Sequence, residues 1–180
     1  LLGERVPVLI ERMGGRVAPR LTSRLVGMLR AFVEGLRSLP NARAIAAATP
    51  LPVTADLEDG FGAEPEVCAE TIRLAIETGV IGGSVEDATG DPARPLHEFG
   101  LAVDRVRAAA EAAHGLPFLL TARADNFICG NPDLADTIRR LQAFADVGAD
   151  VLYAPGLPDL AAIRTVCRSV DRPVNVVMGL

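Results

Sequence analysis

The chain has 180 residues, 49% of them apolar and 23% charged, with a formal net charge of −5. That is enough apolar material for a packed core and too balanced a charge for a disordered tail. No run of about 18 apolar residues and no charged-apolar-small leader pattern occurs, so neither a membrane span nor a secretory signal is supported and a cytoplasmic protein is expected. The three cysteines, Cys68, Cys129 and Cys167, are odd in number and lack a C-x-x-C spacing, which argues against a disulfide framework and a structural zinc site.

The first 41 residues stand apart. The chain has no lysine, and residues 1–43 carry eight arginines against Glu4, Glu11 and Glu34, a charge of +5, while the remainder carries −10. Beginning at Leu1, the chain is expected to be a piece of something longer. A boundary is placed near residue 42, separating an atypical Arg-rich segment, 1–41, from a domain over 42–180. A nucleic-acid-binding arm is the weaker reading of that segment, because its arginines lack interleaved aromatic residues. A divergent folded segment is a second reading, with VPVLIERM as a strand and LTSRLVGMLRAFVEGLRSL as an amphipathic helix. A stretch translated out of frame is the third and preferred one.

Beyond residue 42, short apolar runs alternate with stretches of helical period. Strands are expected at LPVTAD (51–56), IGGSVE (81–86), LPFLLTAR (116–123), DVLYAP (150–155) and PVNVVMG (173–179). Helices are expected from Pro65 to Gly79, over 97–115, over 133–148 with Asn131 as N-cap, and from Pro158 through Arg168. Repeated βα units without hairpin signals imply parallel strands with helices outside. Such an array closes as a barrel or lies open as a doubly wound sheet. Nearly every strand here ends in a polar residue, and G-x-G-x-x-G is missing after the first, so an incomplete (β/α)8 TIM barrel of about five strands is favoured.

The chemistry gathers at those strand ends. In VTADLEDGFG, Asp56 and Glu58 fall on one side if the strand continues, and Glu86 ends the next strand. Three such carboxylates repel one another, and a hard, oxygen-preferring cation such as Mg²⁺ relieves the repulsion. Arg123 offers a rigid fork to a substrate carboxylate or a developing oxyanion. The competing reading is a surface acidic loop with an Arg–Glu salt bridge. Tyr153 ends a strand and can point its hydroxyl into the mouth. Cys129 reads as a packed thiol, and His97 and His114 as capping or solvated residues at the ends of one helix. Asp91 and Arg94 either belong to a lid or pair in solvent.

ADLEDGFG, GGSVEDATGDP, LLTARADNF, DVLYAPGLPD and PVNVVMG, in that order, resemble the isocitrate lyase/phosphoenolpyruvate mutase superfamily over about residues 42–180. The resemblance implies a TIM barrel, Mg²⁺ at its mouth, enolate chemistry on a small 2-oxo or hydroxy (di)carboxylate, and a homo-oligomer for the full-length protein. In the family pattern D-x-D-x-G-x-G the acids correspond to Asp56 and Glu58 and the glycines to Gly60 and Gly62. Glu86 matches the next acid, Arg123 the active-site arginine and Asn175 the later polar residue. The resemblance thus implies Asp56, Glu86 and Glu58 for the metal, Arg123 and Glu58 for catalysis, and Arg123 and Asn175 for substrate; Tyr153 is added to the substrate set from its strand-end position alone.

The sequence departs from the family after Glu86. It reads EDATGDPARPLHEF where the lyases carry K-K-C-G-H and the mutases a lysine- and asparagine-bearing loop, so the general acid or base is not identified. The small-residue strand T-T-S-A-G has no counterpart before residue 42. Two functions stay open: a Mg²⁺-dependent carbon–carbon lyase or mutase-like enzyme, and an inactive relative that binds small carboxylates. With about five strands, the 180-residue chain is expected to bind metal weakly without turnover, and to involve neither nucleic acid nor membrane.

Overall fold

The computed structural model describes residues 40–177, so the expectations for residues 1–39 lie outside the described residues. A helix over residues 40–48, α1, lays Ala42 and Ala46 against the core and ties Arg43 to the Glu77 carbonyl at 2.9 Å. It is followed by β1 (Thr54–Asp56), α2 (Pro65–Glu77), β2 (Gly82–Glu86), α3 (Phe99–Ala113), β3 (Leu119–Arg123), α4 (Leu134–Asp146), β4 (Val151–Tyr153), α5 (Leu160–Ser169) and β5 (Val174–Asn175). Among the described residues, no helix is long and apolar enough to cross a membrane.

The five strands form one parallel sheet in the order β1-β2-β3-β4-β5. A doubly wound sheet would reverse its order at a switch point. Unbroken sequential order with a helix after each of the first four strands is the arrangement of an arc of a (β/α)8 barrel. Side-chain alternation sorts the two faces. Val85, Leu120, Ala122 and Leu152 are buried toward the helices, where Ile72, Ala75, Val106, Ala109, Leu141, Phe144 and Val166 complete the core.

The expected strands are present but shorter, because the runs LP (51–52), LPF (116–118) and VV (176–177) lie outside the ladder; residues 178–179 of the last expected strand lie outside the described residues. Three helix starts fall later than expected, that of α3 at Phe99 rather than residue 97. Asp133, not Asn131, caps α4: its carboxylate accepts from the Asp136 amide at 3.0 Å, while the Asn131 amide closes the loop after β3 onto the Asn126 carbonyl at 2.8 Å. Asp159 likewise caps α5 by accepting from the Ala162 amide at 2.8 Å, which leaves Pro158 outside the helix. Each cap contributes about 1 kcal/mol, enough to choose between adjacent candidates.

Candidate carboxylate and cation site at the strand ends

Register sets the site. Asp56 lies beside Ser84, and Glu86, Arg123, Tyr153 and Asn175 follow one another across β2 to β5. Paired residues of parallel neighbours project to the same side, so all six share the face turned away from the helices. Arg123 is the centre. Its side chain is 13% exposed, and its guanidinium donates to Asp56 Oδ2 at 3.2 Å, pairs with Glu86 Oε2 at 3.0 Å, and grips Asp125 with Nε and Nη2 at 3.2 and 2.9 Å. The guanidinium carbon lies 5.3 Å from the Tyr153 ring centroid, a cation–π contact. Asp56 is held in place from its other oxygen, which accepts from Ser84 Oγ and the Glu58 amide, both at 3.1 Å.

Three carboxylates around one guanidinium leave negative charge in excess. Burial first, then the charge of Asp125, pushes the Glu86 carboxyl up to about 7, with Arg123 pulling the other way. Burial also raises Asp125, against the hydrogen bonds from Arg123. Burial would lower the guanidinium's own pKa, but its bond to Asp125 and the charges of Asp125, Glu86 and Asp56 raise it. A bound cation would relieve such an excess.

Glu58 departs from the expected geometry. The strand stops at Asp56, Leu57 turns into the core, and Glu58 takes a left-handed backbone (φ 50°) with its side chain exposed rather than stacked beside Asp56. Its backbone continues the ladder instead, accepting the Glu86 amide at 2.9 Å. The glycines of the motif now have physical reasons. Gly60 has φ 72°, and a Cβ there would come within 3.0 Å of Cys68 Sγ; one on Gly62 would come within 2.7 Å of Val67 Cγ1. G-x-G lets the loop lie directly on the first turns of α2.

Asn175 sits at the exposed end of β5, in register with Tyr153. Asp91 and Arg94 pair with each other at 3.6 Å, exposed, in a loop closed on itself by the Ala88–Leu96 bridge and by the Thr89 amide on the Pro95 carbonyl. That loop borders a cleft of about 640 Å³ lined by Asp59, Gly62, Thr89, Arg94, His97 and Leu101 among others. His114 ends α3 exposed, as expected, but His97 is buried, because Glu98 takes the cap by accepting from the Gly100 and Leu101 amides. Its Nε2 faces Arg105 Nη1 at 2.6 Å, and burial, then Arg105, lower its pKa to about 4. Cys129 is half-buried with its thiol pushed up by burial, which fits a packed rather than a nucleophilic role.

Behind the site lies a second charged group that sequence reasoning passed over. Arg140 of α4, 7% exposed, donates to Asp87 Oδ2 at 3.1 Å, to Asp136 Oδ2 at 2.7 Å and to the His97 carbonyl at 3.1 Å. Arg105 of α3, 1% exposed, donates to the Gly62 and Asp59 carbonyls and so ties the D-x-E-D-G-F-G loop to the helix layer. The signal for both was spacing: Arg105 falls on the buried stripe of Ala102, Val106 and Ala109, and Arg140 on that of Thr137, Leu141 and Phe144.

Among the described residues, no three His, Cys, Asp or Glu side chains are grouped closely enough to hold a metal ion by themselves. The donor set still fits Mg²⁺, which keeps several waters and takes one or two carboxylates together with substrate oxygens. Asp56 and Glu86, both on Arg123, are the pair that would hold it, rather than the three-carboxylate set with Glu58.

A sequence model of phosphoenolpyruvate phosphomutase matches residues 33–180. The 2-methylisocitrate lyase of Escherichia coli (strain K12) is 30% identical over 142 residues, 76% of this chain and 47% of that protein. A crystal structure from Burkholderia cenocepacia J2315, described as a lyase/mutase, superposes with a TM-score of 0.78 at 53% identity, covering 81% of this chain and 53% of that one. A phosphonopyruvate hydrolase solved with oxalate and Mg²⁺ shares the fold at 24% identity and a TM-score of 0.70, covering 77% of this chain and 50% of that one. The chain therefore spans about half the length of these relatives.

Proposed function

The chain belongs to the phosphoenolpyruvate phosphomutase family, within the isocitrate lyase/phosphoenolpyruvate mutase superfamily of lyases and mutases, and we propose that it carries the cation- and carboxylate-binding part of an enzyme acting on a small 2-oxo or hydroxy (di)carboxylate. The observation that supports this reading most is the Arg123 guanidinium ringed by Asp56, Glu86 and Asp125 on the face of the sheet turned away from the helices. The rigid fork of Arg123 is suited to take a substrate carboxylate or the oxygen on which enolate charge develops. Tyr153 lies against that fork and orders its outer face. Asn175, next in register, would meet the far end of the substrate. Asp56 and Glu86 are the proposed metal carboxylates, and the exposed Glu58 is proposed to act through water beside them. Mg²⁺, when bound, would supply the positive charge that polarises a 2-oxo acid's oxygens.

A second reading, a carboxylate-binding module without turnover, is favoured by one observation. The loop after β2 is self-bonded and carries no cysteine to serve as acid. Thermal unfolding with Mg²⁺ and oxalate tests what the two readings share: a joint rise in Tm is expected, and no rise contradicts both. Assaying an alkylmalate and oxaloacetate panel then separates them, since release of a 2-oxo acid or of oxalate supports the enzyme and its absence the module.

A further inference from the structure

The main chain between Arg123 and Asp125 is held by a residue that does not touch the Arg123 guanidinium. Asp87, 2% exposed, follows Glu86 at the end of β2 and clasps the main chain on both sides of Ala124: its amide donates to the Arg123 carbonyl at 3.3 Å, and its Oδ1 accepts the Asp125 amide at 2.8 Å. A side-chain oxygen thereby continues the β2–β3 ladder past its last paired residues, Glu86 and Arg123. From the other side, the Ala124 amide donates to the Tyr153 carbonyl at 2.9 Å. Three bonds fix this short stretch, and it delivers the Asp125 carboxylate that grips Arg123 at Nε and Nη2. Asp87 is itself aimed by Arg140 on its Oδ2 and by the His97 amide on its carbonyl, at 3.1 and 2.8 Å.

We infer that Asp87 is a positioning residue: through the Asp125 backbone it sets the angle at which Arg123 meets a carboxylate ligand. This rests on the proposed carboxylate site. A guanidinium fork is demanding of angle, because both of its bonds weaken when the plane tilts. What Asp87 supplies to the site is therefore an acceptor at Oδ1, and its charge serves Arg140.

The two roles separate in charge-free pairs, which avoid leaving a buried ion alone. Asp87→Asn with Arg140→Met keeps the acceptor, and Asp87→Ala with Arg140→Met removes it. Oxalate is titrated calorimetrically, in saturating Mg²⁺, into the 180-residue wild type, both pairs, Arg123→Lys, and Arg123→Lys added to the alanine pair. The asparagine pair is expected within about threefold of wild type and the alanine pair about tenfold weaker, with Arg123→Lys adding little to the alanine pair. Equal affinity in the two pairs overturns the inference, as do strictly additive losses with Arg123→Lys. An alanine pair without a cooperative unfolding transition places the acceptor in the fold alone and overturns it too. A wild type that binds no oxalate sinks the carboxylate-site reading itself, and the inference with it; a wild type that binds while the pairs do not differ sinks the inference only.

Discussion

Two charged regions lie within a few residues of each other, and they are built on opposite plans. Around Arg123, three carboxylates share one guanidinium, from Asp125 at 1% exposed through Glu86 at 20% to Asp56 at 61%, and Glu86 is driven up to about 7 by burial and by Asp125. Around Arg140 the charges are matched, because Arg139 shares Asp136 from the solvent side while Arg140 and Asp87 are buried. The Arg140 guanidinium answers Asp87 and Asp136, and the Asp136 carboxyl sits at about 2 because hydrogen bonds from Arg140, Arg139 and Asn126 outweigh the cost of burial. Burial lifts Asp87 to about 6 despite Arg140, the residual strain of an ion pair with little water. The comparison separates scaffold from site: balanced charge fixes where loops go, whereas an excess of carboxylates that reaches solvent at Asp56 invites a ligand.

The largest expected effect belongs to the buried region. Arg140→Met leaves Asp87 without its ion-pair partner in the interior and should cost about 3–5 kcal/mol of stability in denaturant unfolding. A loss below about 1 kcal/mol would mean that the pair is not what holds the loops together.

Next is a pH effect carried by His97. Its folded pKa of about 4 lies below the usual 6.5, so between these values the unfolded chain binds a proton that the folded chain refuses. Stability from this group is present above about pH 6.5 and is lost as pH falls toward 4. Glu86 and Asp87, both raised, work in the opposite direction over much of that window, so the test is a difference between variants. On going from pH 7 to pH 4.5, wild type should lose about 1–3 kcal/mol more than His97→Gln. Parallel pH profiles would show that the imidazole is not held neutral by the fold.

The smallest effect on stability is expected at the open site. Asp56 is 61% exposed and its ion pair with Arg123 is screened by water, so Asp56→Ala should change stability by less than about 1 kcal/mol. The same substitution should remove the Mg²⁺ dependence of oxalate binding, read by calorimetry with and without the cation. An unchanged Mg²⁺ response would take Asp56 out of the proposed ligand pair.

How much of this was legible beforehand follows from where each interaction partner sits. Each strand end was visible as an apolar run closed by a polar residue, and that placed Asp56, Glu86, Arg123 and Tyr153 on one face correctly. Glu58 was misread because the alternation was carried one turn too far: the chain leaves the strand at Asp56, and nothing in LED announces a left-handed backbone at the glutamate. His97 was read as a capping or solvated residue because its partner, Arg105, lies eight residues further on, inside α3, and nothing local announces their contact. Arg140 and Asp87 are 53 residues apart, and no local pattern reports a bond at that separation. Helix starts slipped by one or two residues because Asn131 and Asp133 are both chemically able to cap, and only the loop after β3 decides between them.

The central claim is that the Arg123 fork, among Asp56, Glu86 and Asp125, forms a site for a small carboxylate. Calorimetric titration of oxalate into the 180-residue chain and its Arg123→Lys variant, both in saturating Mg²⁺, tests it most directly. Lysine keeps the charge and loses the planar pair of donors, so affinity should fall about tenfold. Equal oxalate affinity in the two proteins would make Arg123 a structural ion-pair partner and contradict the account.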